Sequence, residues 1–174
     1  MKSKENIVFL GMMGSGKTSI GKLISKKLKL DFFDTDLKIE KKLGMKISKI
    51  FSEKGEIFFR GLEEKITIDI LKKKNIIVAL GGGAFMSQKI RKEILSNHLS
   101  VWLNWDSKTL IKRIRNSQKR PLAYKFTEDQ LLNLIKKRSN IYSKALYKLD
   151  CDNLSKAELV NKVLKIYETH NSNR

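Results

Sequence analysis

The sequence predicts an α/β domain in which helices cover both faces of a parallel sheet. Three observations carry that prediction. Short apolar runs alternate with longer amphipathic stretches along the whole chain. The first apolar run leads straight into a glycine-rich stretch and then a helical pattern. The 174 residues, 41% of them apolar, suffice for one compact core and leave little room for a second, so residues 1–174 read as a single domain.

Taken in order, residues 6–10 (NIVFL) read as a first buried strand. Residues 18–28 read as a helix, with Ile20, Leu23, Ile24 and Leu28 on one face. LDFFDTD suggests a shorter strand, and 56–74 a helix. Residues 75–80 (NIIVAL) and 100–105 (SVWLNW) read as further buried strands, with helices at 88–97 and 107–115. Thr127 followed by Gln130, and Ser155 followed by Glu158, each form a capping-box pattern that starts a late helix. Residues 147–151 (YKLDC) read as a last strand. The one proline, Pro121, sits in the polar stretch RNSQKRPLAYKFTED, which reads as a surface loop long enough to form a lid.

The formal net charge is +19, but the lysines (Lys26, Lys41, Lys72, Lys92, Lys136, Lys162) are spread along the chain rather than gathered in one arm. That pattern fits solvated helix faces and a field attractive to small anions better than a nucleic-acid footprint. The aromatics Phe9, Phe58 and Trp102 fall in apolar runs and read as core, not as base-stacking positions. A single cysteine, Cys151, excludes an intrachain disulfide and reads as inert packing. No apolar run approaches the roughly 18–20 residues of a spanning helix. The short N-terminal apolar stretch enters GSGKT rather than a cleavage site, so a cytoplasmic protein without a membrane partner is expected.

Gly11-Met12-Met13-Gly14-Ser15-Gly16-Lys17-Thr18 fits G-x-x-x-x-G-K-[ST] in full, with an apolar strand before it and a helical pattern after it. Glycines let successive backbone N–H groups turn inward onto phosphate oxygens, and the helix N-terminus adds positive charge. Lys17 can reach the terminal phosphates and the Thr18 hydroxyl can ligate Mg²⁺. A nucleotide-binding protein follows, but such loops serve many reactions.

The acceptor side is read from four further stretches. In FFDTD, Asp34 and Asp36 are two apart, so an extended segment points both the same way. One then serves Mg²⁺ and the other accepts a proton from a hydroxyl. The alternative is an acidic helix N-terminus, since LKIEKKLG follows. Arg60, in GEIFFRGLEE, suits a bidentate grip on a carboxylate or, alternatively, a surface pair with Glu63 or Glu64. Gly81, Gly82 and Gly83 end a buried strand where a plain turn needs fewer glycines, which points to close approach of a ligand. No acidic metal ligand stands there, which favours Asp34 for the metal. Arg138 shares a helical stripe with Leu131, Ile135 and Tyr142, so it either snorkels or enters a polar pocket.

The ordered set G-x-x-G-x-G-K-[ST], D-T-D, F-R-x-x-E, G-G-G-A, R-P-L and R-x-x-x-Y resembles shikimate kinase over residues 6–147. The resemblance implies a three-layer P-loop kinase fold with a five-stranded parallel sheet, a substrate-binding region at about 34–62 and a mobile lid at about 113–127. It implies ATP and shikimate as substrates, Mg²⁺ as cofactor, and transfer of the γ-phosphoryl group to the 3-hydroxyl. Gly11, Met12, Met13, Gly14, Ser15, Gly16, Lys17, Thr18 and Ser19 are then the ATP loop. Thr18 ligates the metal with Asp34 behind it. Lys17, Asp36 and Arg120 are catalytic, and Arg113 stacks on adenine. Asp36, Arg60, Gly81, Gly82, Gly83 and Arg138 bind shikimate. A monomer without a nucleic-acid partner is expected. Three departures stand out: Gly61 where a second arginine often follows, CDNLSKAEL in place of a proline and a basic residue near the adenine, and Phe85 after G-G-G-A. The rivals are another small-molecule kinase such as gluconate kinase, a basic nucleotide-dependent nucleic-acid-binding module, and a kinase-like fold without catalysis.

Overall fold

Ile7, Val8, Phe9 and Leu10 are fully buried and form β1 (Ile7–Leu10), the central strand of a five-stranded sheet in a computed structural model that describes residues 5–116 and 126–172. Every interstrand pairing is parallel, in the order β2-β3-β1-β4-β5. The partners are β2 (Asp31–Asp34), β3 (Ile76–Ala79), β4 (Leu99–Asn104) and β5 (Tyr147–Asp150). Helices α1 (Lys17–Leu28), α2 (Thr35–Leu43), α3 (Ile47–Leu71), α4 (Gln88–Asn97), α5 (Ser107–Arg115), α6 (Glu128–Tyr142) and α7 (Lys156–Ser172) make the crossovers and the C-terminal segment.

Period-two alternation along β1 builds three layers. Ile7 and Phe9 pack with Ile20 and Ile24 of α1 and Val163 and Tyr167 of α7. Val8 and Leu10 join Ile39 of α2, Phe59 and Ile66 of α3, Ile94 of α4 and Leu131 of α6. Both faces are therefore dry, which is why the strands read as unbroken apolar runs. β1 lies between β3 and β4, the point at which the winding direction reverses, and ligands bind at the carboxyl edge of such a crevice. Both capping boxes form: the Thr127 hydroxyl accepts from Gln130 N–H at 3.2 Å, and the Ser155 hydroxyl accepts from Glu158 N–H at 3.2 Å. Cys151 is buried and burial pushes its thiol up to about 12, as expected of inert packing. No helix among the described residues is long and apolar enough to cross a membrane.

Three local expectations are corrected. The helix read at 56–74 starts where expected, because Gly55 (φ 79, ψ 170) is non-helical and divides α3 into two helical segments at a kink. It ends earlier, at Leu71. The Asn6 side chain donates to the carbonyls of Leu71 (3.3 Å) and Lys73 (2.7 Å) and accepts from Ile76 N–H, fixing the turn into β3. On α1 the buried stripe runs through Ile20, Gly21 and Ile24 rather than Leu23, which is 37% exposed. Gly21 presents bare backbone to the Phe32 ring, so the helix faces β2 with its glycine side. Phe58 is 43% exposed and is not core; Phe9 and Trp102 are.

Candidate active site

The loop between β1 and α1 needs its glycines for backbone geometry. Gly11, Gly14 and Gly16 have φ of 143, 85 and 91, values that a side chain strongly disfavours. Gly16 caps α1, so the first-turn amides of that helix face the loop. Lys17 is buried and folds back over the loop, donating to the carbonyls of Gly11 and Met12, both at 2.9 Å. Thr18 Oγ1 donates to Asp34 Oδ2 at 2.7 Å. Ser19, one residue on, is exposed.

Asp34 and Asp36 do not share one extended segment. Asp34 ends β2 and caps α2, accepting from Asp36 N–H (3.1 Å) and Leu37 N–H (3.2 Å), while Asp36 lies in the first helical turn. The helix-start reading was thus the correct local structure. It still delivers both carboxylates to the crevice: Asp34 faces the Thr18 hydroxyl, and Asp36 packs against the Cα of Gly81. Burial raises the Asp36 carboxyl to about 7, and the neighbouring Asp34 and Glu63 charges push the same way; Lys17 and Arg60 pull against them.

The three glycines after β3 have a clear packing reason. A Cβ on Gly81 would strike Asp36 and then Glu63 at 2.9 Å; on Gly82 it would meet Arg138 and the Met13 amide nitrogen, both at 3.4 Å; on Gly83 it would strike the Arg60 guanidinium. Bare backbone here lets four charged side chains converge. Gly83→Ala is expected to displace Arg60 and raise the KM for the acceptor by about tenfold while the nucleotide KM stays put. Initial rates with each substrate varied in turn check it, and equal changes in both KM values would refute it.

Arg60 pairs with Glu63 at 2.6 Å and with Glu56 at 3.3 Å, so the pairing reading of this arginine holds in part. Its partner, however, is not a surface group: Glu63 is 2% exposed. Burial works against the Arg60 charge, but Glu63 and Glu56 hold its guanidinium pKa up. Burial likewise raises Glu63 above the usual carboxylate range, against the pull of Arg60 and Arg138. Glu64 instead accepts from the Ser87 hydroxyl at 2.7 Å and pairs with Lys89. At Gly61 a Cβ would meet nothing within 4 Å, and a cavity of about 360 Å³ is lined by Arg60, Gly61, Glu63 and Gly83 among others.

Arg138 sits half-buried on the α6 stripe, its guanidinium 3.9 Å from Met12 Sδ. Tyr142, one turn on, donates to the Gly82 carbonyl, and burial pushes its hydroxyl up to about 12. Both readings of the stripe come together: Leu131, Ile135 and Tyr142 are core, and Arg138 reaches the polar crevice.

A second cavity of about 360 Å³ lies beside the loop. Gly14, Ser15, Gly16, Ser19 and Ile20 line it together with Trp105, Arg113, Leu154, Lys156 and Leu159. The Arg113 guanidinium stacks on the Trp105 ring at 3.7 Å, and Trp105 Nε1 donates to the Ser15 carbonyl at 2.9 Å. Sequence reading missed Trp105, Leu154 and Lys156. A basic residue at 156, in the stretch that seemed to lack one, was the available signal. Arg120, Pro121 and Leu122, with most of the expected lid, lie outside the described residues.

Loop, paired carboxylates and two arginines thus meet at one sheet edge. Residues 13–168 match the family model described as "Shikimate kinase". The chain belongs to the shikimate kinase family. The shikimate kinase of Thermodesulfovibrio yellowstonii is 38% identical over 165 residues, covering 94% of this chain and 95% of that one. A shikimate kinase from Acinetobacter baumannii, solved in complex with shikimate, superposes with a TM-score of 0.89 at 29% identity, covering 96% of this chain and 94% of that one. A gluconokinase from Sinorhizobium meliloti reaches a TM-score of 0.61 at 16% identity (99% and 97% coverage), a likeness of fold alone. The shikimate kinase reading therefore prevails over gluconate kinase and over a nucleic-acid module. The reaction is transfer of the γ-phosphoryl group of ATP to the 3-hydroxyl of shikimate, a step of chorismate and aromatic amino acid biosynthesis, and a divalent metal is the family's usual requirement.

Proposed function

We propose the following division of labour among this chain's residues. Loop amides of residues 11–19 hold the ATP phosphates, and Lys17 exchanges the Gly11 and Met12 carbonyls for oxygens of the transferring phosphate. Thr18 and Asp34 are hard oxygen donors 2.7 Å apart beside the phosphate loop, a set that suits Mg²⁺, which keeps several waters and takes few protein ligands. Bound there, the ion's chemistry is neutralisation of charge on the phosphate oxygens. Arg60 and Arg138 take the shikimate carboxylate, held apart by the Gly81–Gly83 backbone. Asp36 accepts a hydrogen bond from the reacting hydroxyl and takes its proton. Arg113 offers one guanidinium face to the base while the other rests on Trp105. Arg120 closes over the phosphates from the lid at about 113–127; the region at about 34–62 binds shikimate. We read the chain as one domain and a monomeric cytoplasmic enzyme without nucleic-acid or membrane partners, a reading supported by the scatter of its lysines.

The single observation that carries the assignment is the convergence of Asp36, Arg60, Glu63 and Arg138 on three consecutive glycines at the carboxyl edge of β3, next to the phosphate loop. Two cations and a carboxylate match an anion that bears vicinal hydroxyls. ADP release by the purified protein with Mg²⁺ATP tests it. Shikimate is expected to stimulate release strongly and gluconate to leave it at the background rate; equal stimulation by the two would overturn the acceptor assignment.

A further inference from the structure

The cavity beside the phosphate loop is furnished to stack a base, not to read its edge. Its two charged lining side chains, Arg113 and Lys156, carry donors only. Trp105 Nε1 is committed to the Ser15 carbonyl, and Leu154 and Leu159 are apolar. Ser19 belongs to the first turn of α1, on the phosphate side. No lining side chain among the described residues is a carboxylate or an amide that accepts from the 6-amino group of adenine. Donors such as those of Arg113 and Lys156 suit N7, which adenine and guanine share, and equally the 6-oxo group that only guanine carries. Stacking on a guanidinium plane is tolerant of the base, since every base has a π-face. A site rejects an analogue strongly only when it is built to hydrogen-bond the group that differs.

We propose that GTP is a phosphoryl donor for this enzyme alongside ATP, with the purine held by Arg113 stacking and its 6-oxo group accepting from Lys156. The inference rests on the reading that the base occupies this cavity. The transfer itself is unchanged. The bond from the acceptor oxygen to phosphorus forms and the bond from phosphorus to the β–γ bridging oxygen breaks. GDP leaves in place of ADP, and the hydroxyl proton passes to Asp36. Lys156 is exposed in the first turn of α7, so it can be replaced without disturbing the core. A glutamate there reverses the code, accepting from a 6-amino group and repelling a 6-oxo group.

The test is kcat/KM for ATP and GTP at saturating shikimate, in the natural protein, Lys156→Glu and Arg113→Ala, read by formation of phosphorylated shikimate. GTP is expected within about tenfold of ATP, and Lys156→Glu to lower the GTP-to-ATP ratio by at least about tenfold. GTP poorer than ATP by more than about 100-fold overturns the proposal, because main-chain carbonyls must then read the 6-amino group. An unchanged ratio in Lys156→Glu overturns the role of that lysine. The reading beneath fails separately: if Arg113→Ala leaves the ATP value unaltered, the base does not sit in this cavity and the proposal falls with it.

Discussion

Asp36→Asn is expected to slow shikimate-dependent turnover by about 10²–10⁴-fold while making the substrate-free protein more stable at pH 8. Both effects come from one environment. Burial, aided by Asp34 and Glu63, lifts the Asp36 carboxyl from 3.8 to about 7, so the fold favours its protonated form. The unfolded chain holds the same group ionised above its ordinary value. Linkage then fixes the sign: stability contributed by this group is intact below pH 3.8 and is lost as pH rises towards about 7, with no further loss above. A rise of that size corresponds to at most about 4 kcal/mol, shared with its charged neighbours. Asparagine keeps the shape and never ionises. Its Tm at pH 8 should exceed that of the natural protein by about 5–10 °C, with little difference near pH 4. Turnover reports the other side. A base near 7 makes kcat/KM for shikimate rise through that pH, and the asparagine variant should lose the rise. A kcat within tenfold of the natural protein, with the pH profile retained, would remove Asp36 from the proton step.

The second large effect is at Arg60. Arg60→Ala should raise the shikimate KM by about 10–100-fold, the worth of a charge-assisted pair, and it should also destabilise the fold by about 1–3 kcal/mol. The two losses have different owners. Affinity is lost because the substrate carboxylate loses a cation. Stability is lost because Glu63, 2% exposed and 2.6 Å from Arg60, is left buried without its closest cation. Adding Glu63→Gln to Arg60→Ala should therefore recover most of the Tm and none of the shikimate affinity. If the double variant recovered affinity as well, Arg60 would be acting through Glu63 rather than on the substrate.

Much of this was legible beforehand, and the reasons differ by element. The strands β1, β3 and β4 are buried on both faces, so unbroken apolar runs announced them. The phosphate loop was legible because its function lies in backbone conformation, and only glycines supply those φ values. Helix starts at Thr127 and Ser155 were legible because a capping box is closed by residues three apart. By contrast, the D-x-D segment was ambiguous: a strand end and a helix start share the same two carboxylates, and only the pairing of β2 with β3 fixes where the strand stops. The helix start at residue 56 was legible because Gly55 just before it leaves the helical backbone (φ 79, ψ 170), while packing of Ile50 and Phe59 into one core holds the two segments of α3 together.

The sequence by itself determined the layered α/β class, the nucleotide loop and the charged residue types that line the crevice, since each is written in local pattern or in residue type. Tertiary structure alone decided three things. It buried Glu63 beneath Arg60, raised Asp36 to about 7, and turned Trp105 and Lys156 into walls of the cavity beside the phosphate loop. Each depends on desolvation or on contact between residues far apart in the chain. Trp105 reaches back 90 positions to the Ser15 carbonyl, and no local pattern carries a bond of that span.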